Sequence, residues 1–118
     1  MSPVAYLSLL FDAVNRKTLD ELESAFSDSV VFHFPKTAPL EGKRRITTFF
    51  KVLFRTYPDL TFTPGRTVGD ERMAAMEWTN HGTTKSGEIY RNAGVTFLEV
   101  KDSKIAYISD TFKDTEKF

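Results

Sequence analysis

Leu7, Leu10, Phe11 and Val14 recur three and four residues apart, which places them on one stripe of a helix. Ser2-Pro3 just ahead of them is a helix start, a capping hydroxyl followed by proline at the first helical position. Thr18-Leu19-Asp20-Glu21 has the form of a capping box and opens a short second helix with Leu19, Leu22 and Phe26 on its buried face. Residues 30–34 read as a strand halted by Pro35, and Gly42 leads into a third helix. That helix carries Ile46, Phe49, Phe50, Leu53 and Phe54 on one side and is ended by Pro58. Beyond Pro58 the pattern becomes that of strands, expected over roughly 60–63, 73–79, 89–98 and 105–112. Gly69-Asp70, Ser86-Gly87 and Asp102-Ser103 are the turns between them.

Helices first and antiparallel strands afterwards predict an α+β fold with the helices on one face of the sheet. The last strand has apolar residues on both parities, Ile105 and Tyr107 on one and Ala106 and Ile108 on the other. A sheet with one face in water alternates more cleanly, so the second face is expected to be covered. A twofold-related copy of the chain is the simplest cover, which makes a homodimer through the sheet face the expectation.

With 118 residues the chain, 1–118, is expected to be one domain with a single core. Formal net charge is zero, so nothing favours nucleic acid or an anionic membrane as partner. Gly42-Lys43-Arg44-Arg45 is too short a basic run to change that and reads as a solvated first helical turn. There is no cysteine, which removes disulfide and thiolate chemistry and permits a reducing compartment. The N-terminus lacks the basic start and continuous apolar core of a signal peptide, and no run reaches the ~20 apolar residues that span a bilayer. A cytoplasmic protein is expected. Phenylalanine supplies 11 of the aromatic residues, enough both to fill a core and to line a site for a flat hydrophobic ligand. Phe50 and Phe54 are the expected lining residues.

The segments "LFDAVNRKTLDELESAFSDSVVFH", "PLEGKRRITTFF", "YPDLTF" and "EIYRNAGVTFLEVKDSKIAYISDTFKDT" follow one another in an order that resembles the nuclear transport factor 2-like superfamily, and within it the SnoaL-like group. The resemblance covers nearly the whole chain. It implies a cone in which three N-terminal helices pack on a strongly curved, mainly antiparallel sheet around an apolar pocket. The superfamily includes polyketide cyclases, ketosteroid isomerases, limonene-epoxide hydrolases, dehydratases and noncatalytic binding domains, so the fold does not choose among them.

In related cyclases and epoxide hydrolases an aspartate sits five residues after the isoleucine of a "GKI" turn, and Asp110 stands five after Ile105. The resemblance implies a general acid or base there. A carboxylate beside Ile108 and aromatic rings is poorly solvated, which raises its pKa toward a useful range. Asp114-Thr115 resembles the "DT" ending of the group and is expected as a turn or cap. His33 lies nine residues before Gly42, the spacing of the general-base aspartate of ketosteroid isomerases, and histidine can exchange protons near neutrality.

The isomerase pattern then departs, because its oxyanion-binding tyrosine becomes Leu10 and its partner acid falls near Val95 or Thr96. The arginine and second aspartate of epoxide hydrolases are also missing. Glu77-Trp78-Thr79-Asn80-His81 stands in their place and offers Glu77 or His81. Tyr90 and Asn92, two apart, share a strand face and could orient a carbonyl or hydroxyl. Trp78 is either a core plug or a flat pocket wall. Glu77, Thr79 and His81 have one parity and Met76, Trp78 and Asn80 the other, so one set faces away from the cavity unless a bulge intervenes.

Two histidines 48 residues apart and no cysteine give no metal-binding spacing, and phosphate-loop and nucleophile-elbow motifs are missing. The expected function is a cofactor-independent acid/base enzyme of cyclase, isomerase, dehydratase or epoxide hydrolase type, acting on a small hydrophobic or polycyclic molecule. Asp110 and His33 are its expected proton carriers, with Tyr90, Asn92, Trp78, His81, Phe50 and Phe54 around the substrate. A noncatalytic small-molecule-binding or dimeric association domain is the alternative.

Overall fold

The structure, a computed structural model, describes residues 1–114. Helix α1 spans Pro3–Arg16, and the Ser2 Oγ accepts from the Ala5 N–H at 3.1 Å, as the Ser-Pro start requires. It ends at Lys17, whose φ of 59° is left-handed. Leu7, Leu10, Phe11 and Val14 are buried along one stripe. Asn15 stitches the helix to strand β3 (Thr61–Gly69), its amide donating to the Phe62 carbonyl and accepting from the Phe62 N–H. Tyr6 ties the other end by donating to the Ser103 carbonyl at 2.6 Å.

Helix α2 covers Leu19–Ala25. Its capping box does not form: the single hydrogen of the Thr18 hydroxyl is shared between the Glu21 carboxylate at 3.1 Å and the Ala13 carbonyl at 3.4 Å, and the side chain caps no backbone N–H. Phe26 belongs to no helix face. It begins strand β1 (Phe26–His33), four residues earlier than the pattern indicates, and is buried there. A two-residue strand β2 (Leu40–Glu41) precedes α3 (Lys43–Thr56). Strands β4 (Met73–Thr83), β5 (Ile89–Lys101) and β6 (Lys104–Phe112) complete the sheet.

The strand order is β2-β1-β6-β5-β4-β3, with β1 parallel to β6 and every other pair antiparallel. The sheet is mixed, open and curved. Asp102 and Ser103 turn the β5–β6 hairpin with φ of 51° and 59°, the mirror-image turn that suits strand twist. Helix α1 lies against β3, β4 and β5, and α3 against β1 and β2, so all helices sit on the inner face. Among the described residues, no helix is long and apolar enough to cross a membrane.

The mixed parity of the last strand has a local cause. Glu99 pairs with Tyr107 and Val100 with Ile105, which leaves Ala106 as an extra residue in β6. This bulge turns both Ile105 and Ile108 into the core. After it the alternation is regular, and Ile108, Asp110 and Phe112 share the inner face. The outer face still carries half-buried Val31, Ala75, Val95, Phe97 and Tyr107. Asp114 is tied by its backbone to Asn92, and Thr115 lies outside the described residues.

Candidate active site

The inner face of the sheet and the helices enclose a cavity of about 150 Å³. Leu10, Phe11 and Val14 reach it from α1, Phe49, Phe50 and Leu53 from α3, and Phe32 and Phe34 from the β1 end of the sheet. Phe32 stacks on Phe50, with centroids 5.8 Å apart and planes 10° apart. Phe34 meets Phe112 edge-on at 5.2 Å. The wall opens beside Val52 and Thr56, on the exposed side of the last turns of α3.

Four polar side chains interrupt this apolar surface from the sheet: Asn80, Tyr90, Thr96 and Asp110. Among the described residues Asp110 is the one charged type that lines the cavity. Thr96 stands directly opposite it across the β5–β6 ladder, and its hydroxyl donates to Asp110 Oδ1 at 2.6 Å. Burial drives the Asp110 pKa up to about 7 from 3.8, and the Thr96 hydrogen bond opposes that rise only in part. Asp110 is half-buried and lines the cavity. Among the described residues its Oδ2 has no hydrogen-bond partner, so this oxygen is the one available to a ligand.

Behind Thr96 lies Trp78. Its indole N–H donates to Thr96 Oγ1 at 2.9 Å, and its ring packs edge-on against Phe62 and Phe112. Gly94, paired with Trp78 across the ladder, leaves the space that ring occupies. Tyr90 comes from β5 with its ring 4.8 Å from that of Tyr57. Burial raises its phenol pKa, against hydrogen bonds from Asn92 and Asn80, so it remains protonated at neutral pH. The Asn80 Oδ1 is buried without a hydrogen-bond partner at the cavity wall.

Residues 8–108 match the SnoaL-like domain family. The chain belongs to the SnoaL-like family. Solved structures agree with this SnoaL-like fold at low sequence identity. A candidate SnoaL-like polyketide cyclase from Jannaschia sp. CCS1 has a TM-score of 0.86 at 16% identity, over 94% of this chain and 85% of that one. An NTF2-like protein of unknown function from Exiguobacterium sp. 255-15 has a TM-score of 0.82 at 23% identity, over 92% and 98%. A candidate ketosteroid isomerase from Kribbella flavida DSM 17836 has a TM-score of 0.77 at 24% identity, over 93% and 76%. No protein of curated function matches the SnoaL-like chain by sequence.

The SnoaL-like cavity gathers some of the residues expected from sequence and leaves others outside. Asp110, Tyr90 and Phe50 line it. His33 does not: next to it in β1 the buried parity is held by Val30 and Phe32, and His33 projects to the outer face, 5.3 Å from the Tyr107 ring. His81 is exposed on the outer face of β4, with Glu77, because Met76, Trp78 and Asn80 hold the inner parity without a bulge. Glu77 is bound there to Arg66 at 2.6 Å. Phe54 turns away from the cavity and lies under the Lys17 ammonium, 5.4 Å from the ring centroid. Asn92 is buried behind Tyr90. Its amide is engaged by the Tyr90 hydroxyl, the Ala93 N–H and both backbone groups of Asp114. Trp78 stands behind the wall, hydrogen-bonded to Thr96.

Thr96 and Asn80 are the polar lining residues that sequence reasoning left without a role. Both sit on the parity otherwise held by apolar residues, beside Leu98 and Met76 respectively. A polar group on a buried parity was the available signal. Among the described residues, no group of three or more His, Cys, Asp or Glu side chains gathers as a metal site.

Proposed function

We propose that the chain is an acid/base enzyme of cyclase or isomerase type, in which Asp110 moves a proton on a small hydrophobic ligand held in the cavity. The observation that carries this reading is the Asp110 carboxyl. It is set in an apolar wall, poised near pH 7, with one oxygen bound to Thr96 and the other open to the cavity. A base whose pKa lies near the working pH can take a proton and give it back. Oδ2 would accept the proton from a carbon next to a carbonyl and, as a carboxylic acid, return it at another atom of the same ligand. The Tyr90 hydroxyl, kept protonated by burial, would donate toward the oxygen on which charge develops. The unpartnered Asn80 Oδ1 would receive a ligand hydroxyl. The step needs no cofactor.

The same inventory narrows the alternatives. Neither histidine faces the cavity, so one carboxyl would carry the proton in both directions. Epoxide hydrolysis by an aspartate-arginine-aspartate set finds no arginine among the lining residues. Size matters as well, because about 150 Å³ fits roughly one small ring, well below the ~300 Å³ at which common ligand sites begin. A polycyclic substrate would have to displace the phenylalanines of α3 or extend through the opening at Val52 and Thr56.

The test is turnover of a panel of polyketide, terpenoid and steroid-like compounds, small single-ring members included. Asp110→Asn is expected to slow whichever compound reacts by about 10²–10⁴-fold, the usual share of a general acid/base. Undiminished turnover would remove Asp110 from the mechanism. Binding without any turnover would instead favour a noncatalytic binding domain.

The outer sheet face leads to a second proposal, a homodimer with a twofold-related copy. Val31, Ala75, Val95, Phe97 and Tyr107 form an apolar surface there, and Phe97 and Tyr107 meet with ring centroids 6.1 Å apart. An isologous contact would place the same surface on both sides. Phe97→Asp is expected to convert a dimer to a monomer in light scattering coupled to size exclusion. A wild type that runs as a monomer at tens of micromolar would exclude this contact.

A further inference from the structure

We propose that Trp78, acting through Thr96, fixes which oxygen of Asp110 carries the proton, and so aims the acid/base group at the cavity. Trp78 and Thr96 are positioning residues here. Their role rests on the reading of Asp110 as the proton carrier, but the test of it does not.

The argument is one of donors and acceptors. An indole N–H can only donate. At 2.9 Å it occupies one lone pair of Thr96 Oγ1, and Thr96 is 1% exposed. A threonine hydroxyl has a single hydrogen, and among the described residues the acceptor it finds is Asp110 Oδ1, at 2.6 Å. Turned elsewhere, that hydrogen would be a buried donor without a partner, which costs about 1–3 kcal/mol. Oδ1 is thereby held as an acceptor in both protonation states. When Asp110 takes up a proton, it must sit on Oδ2, the oxygen open to the cavity.

Without the indole, a water in the vacated space could take that hydrogen, and the hydroxyl could then accept from a protonated Oδ1. The proton would then be shared between an oxygen that faces the ligand and one that does not. Nothing else around Asp110 competes for this control. The groups that line the cavity with it from α1, α3 and the β1 side are apolar except for the Thr56 hydroxyl at the opening and the Tyr57 phenol just past α3, and β4 and β5 add Asn80, Tyr90 and Thr96. No lysine, arginine, histidine or glutamate of the described residues lines the cavity.

Trp78 is the one tryptophan of the chain, so its emission reports on this bond without a label. The experiment is a pH titration of the whole protein, followed by tryptophan fluorescence and by the carbon-13 shift of the Asp110 carboxyl. In the wild type both signals are expected to change together near pH 7, and Asp110→Asn is expected to flatten the emission there. Thr96→Val keeps the shape of the side chain but removes the hydroxyl. Its carboxyl midpoint should move upward and its emission should stop following it. Thr96→Ser should restore both.

Trp78→Phe, read by carbon-13 alone, should also move the midpoint upward. Loss of packing by itself would lower stability and leave the midpoint where it was. Wild-type emission that stays flat while the carboxyl titrates overturns the proposal. So do unchanged carboxyl midpoints in Thr96→Val and Trp78→Phe. A compound turned over independently of Asp110 would defeat the catalytic reading alone, since these titrations need no substrate.

Discussion

At pH 8 the Asp110→Asn variant is expected to resist urea better than the wild type, and the advantage should shrink toward pH 4. The sign follows from the proton balance. Asp110 titrates near 3.8 when exposed in the unfolded chain and near 7 in the folded one. Between those values the folded protein holds a proton that the unfolded chain has released. Wild-type stability therefore falls as pH rises through this window and levels off above about 7. The interval corresponds to about 4 kcal/mol, at about 1.4 kcal/mol per pH unit. This is a large share of the ~5–15 kcal/mol that holds a domain folded. Asparagine does not titrate, and its Oδ1 can still accept from Thr96. All other titrating groups are common to both proteins, so the difference between their unfolding free energies isolates position 110. Parallel curves from pH 4.5 to 8.5 would show that the folded carboxyl is not desolvated. An amide would be more stable in the same place, so a carboxyl kept at such a cost is what the proposed acid/base role requires.

The sequence reveals the fold and its central residue more readily than the shape of the site. Helix α1 is legible because one stripe and one cap specify it, and Ser2 does cap Ala5. The start of β1 is not, since Phe26 suits a helix face or a strand equally until packing decides. The bulge at Ala106 is also invisible in the pattern. It arises from the pairing of β6 with β5, and it makes one face look like two. Asp110 can be singled out by its distance from Ile105. The histidines attract notice through their chemistry, and strand parity then sets both on the outer face. The residues that connect the site are Thr96, beside Gly94 and Leu98, and Asn80, beside Trp78. Each is a polar group on a buried face. Its partners lie on neighbouring strands, 14 residues away for Thr96 and Asp110 and 18 for Thr96 and Trp78. Those distances along the chain carry no periodic signal.

Gly94→Ala is expected to destabilise the protein by about 3 kcal/mol or more and to uncouple Trp78 from Asp110 in the same step. A Cβ at position 94 would collide with the Thr111 carbonyl oxygen. It would also come within 2.7 Å and 2.9 Å of the Trp78 ring edge. The carbonyl belongs to the backbone of β6 and cannot move without loosening the ladder in which Val95 pairs with Thr111 and Thr96 with Asp110. The indole has little room either, with Phe62 and Phe112 packed edge-on at 4.9 Å. Overpacking of a closed core costs about 1–3 kcal/mol, and a ladder shift adds to that. The ring is the softer of the two obstacles. Its displacement would draw the N–H away from Thr96 and release the hydroxyl that orients the carboxyl. Chemical denaturation measures the first effect, and the pH dependence of tryptophan emission near 7 measures the second. Were the variant to unfold at the wild-type urea concentration with its emission still tracking Asp110, Gly94 would not be the residue that makes room for the indole. Phe112→Leu gives the complementary case: it removes a ring packed edge-on against the indole, so in combination with Gly94→Ala it should recover part of both losses.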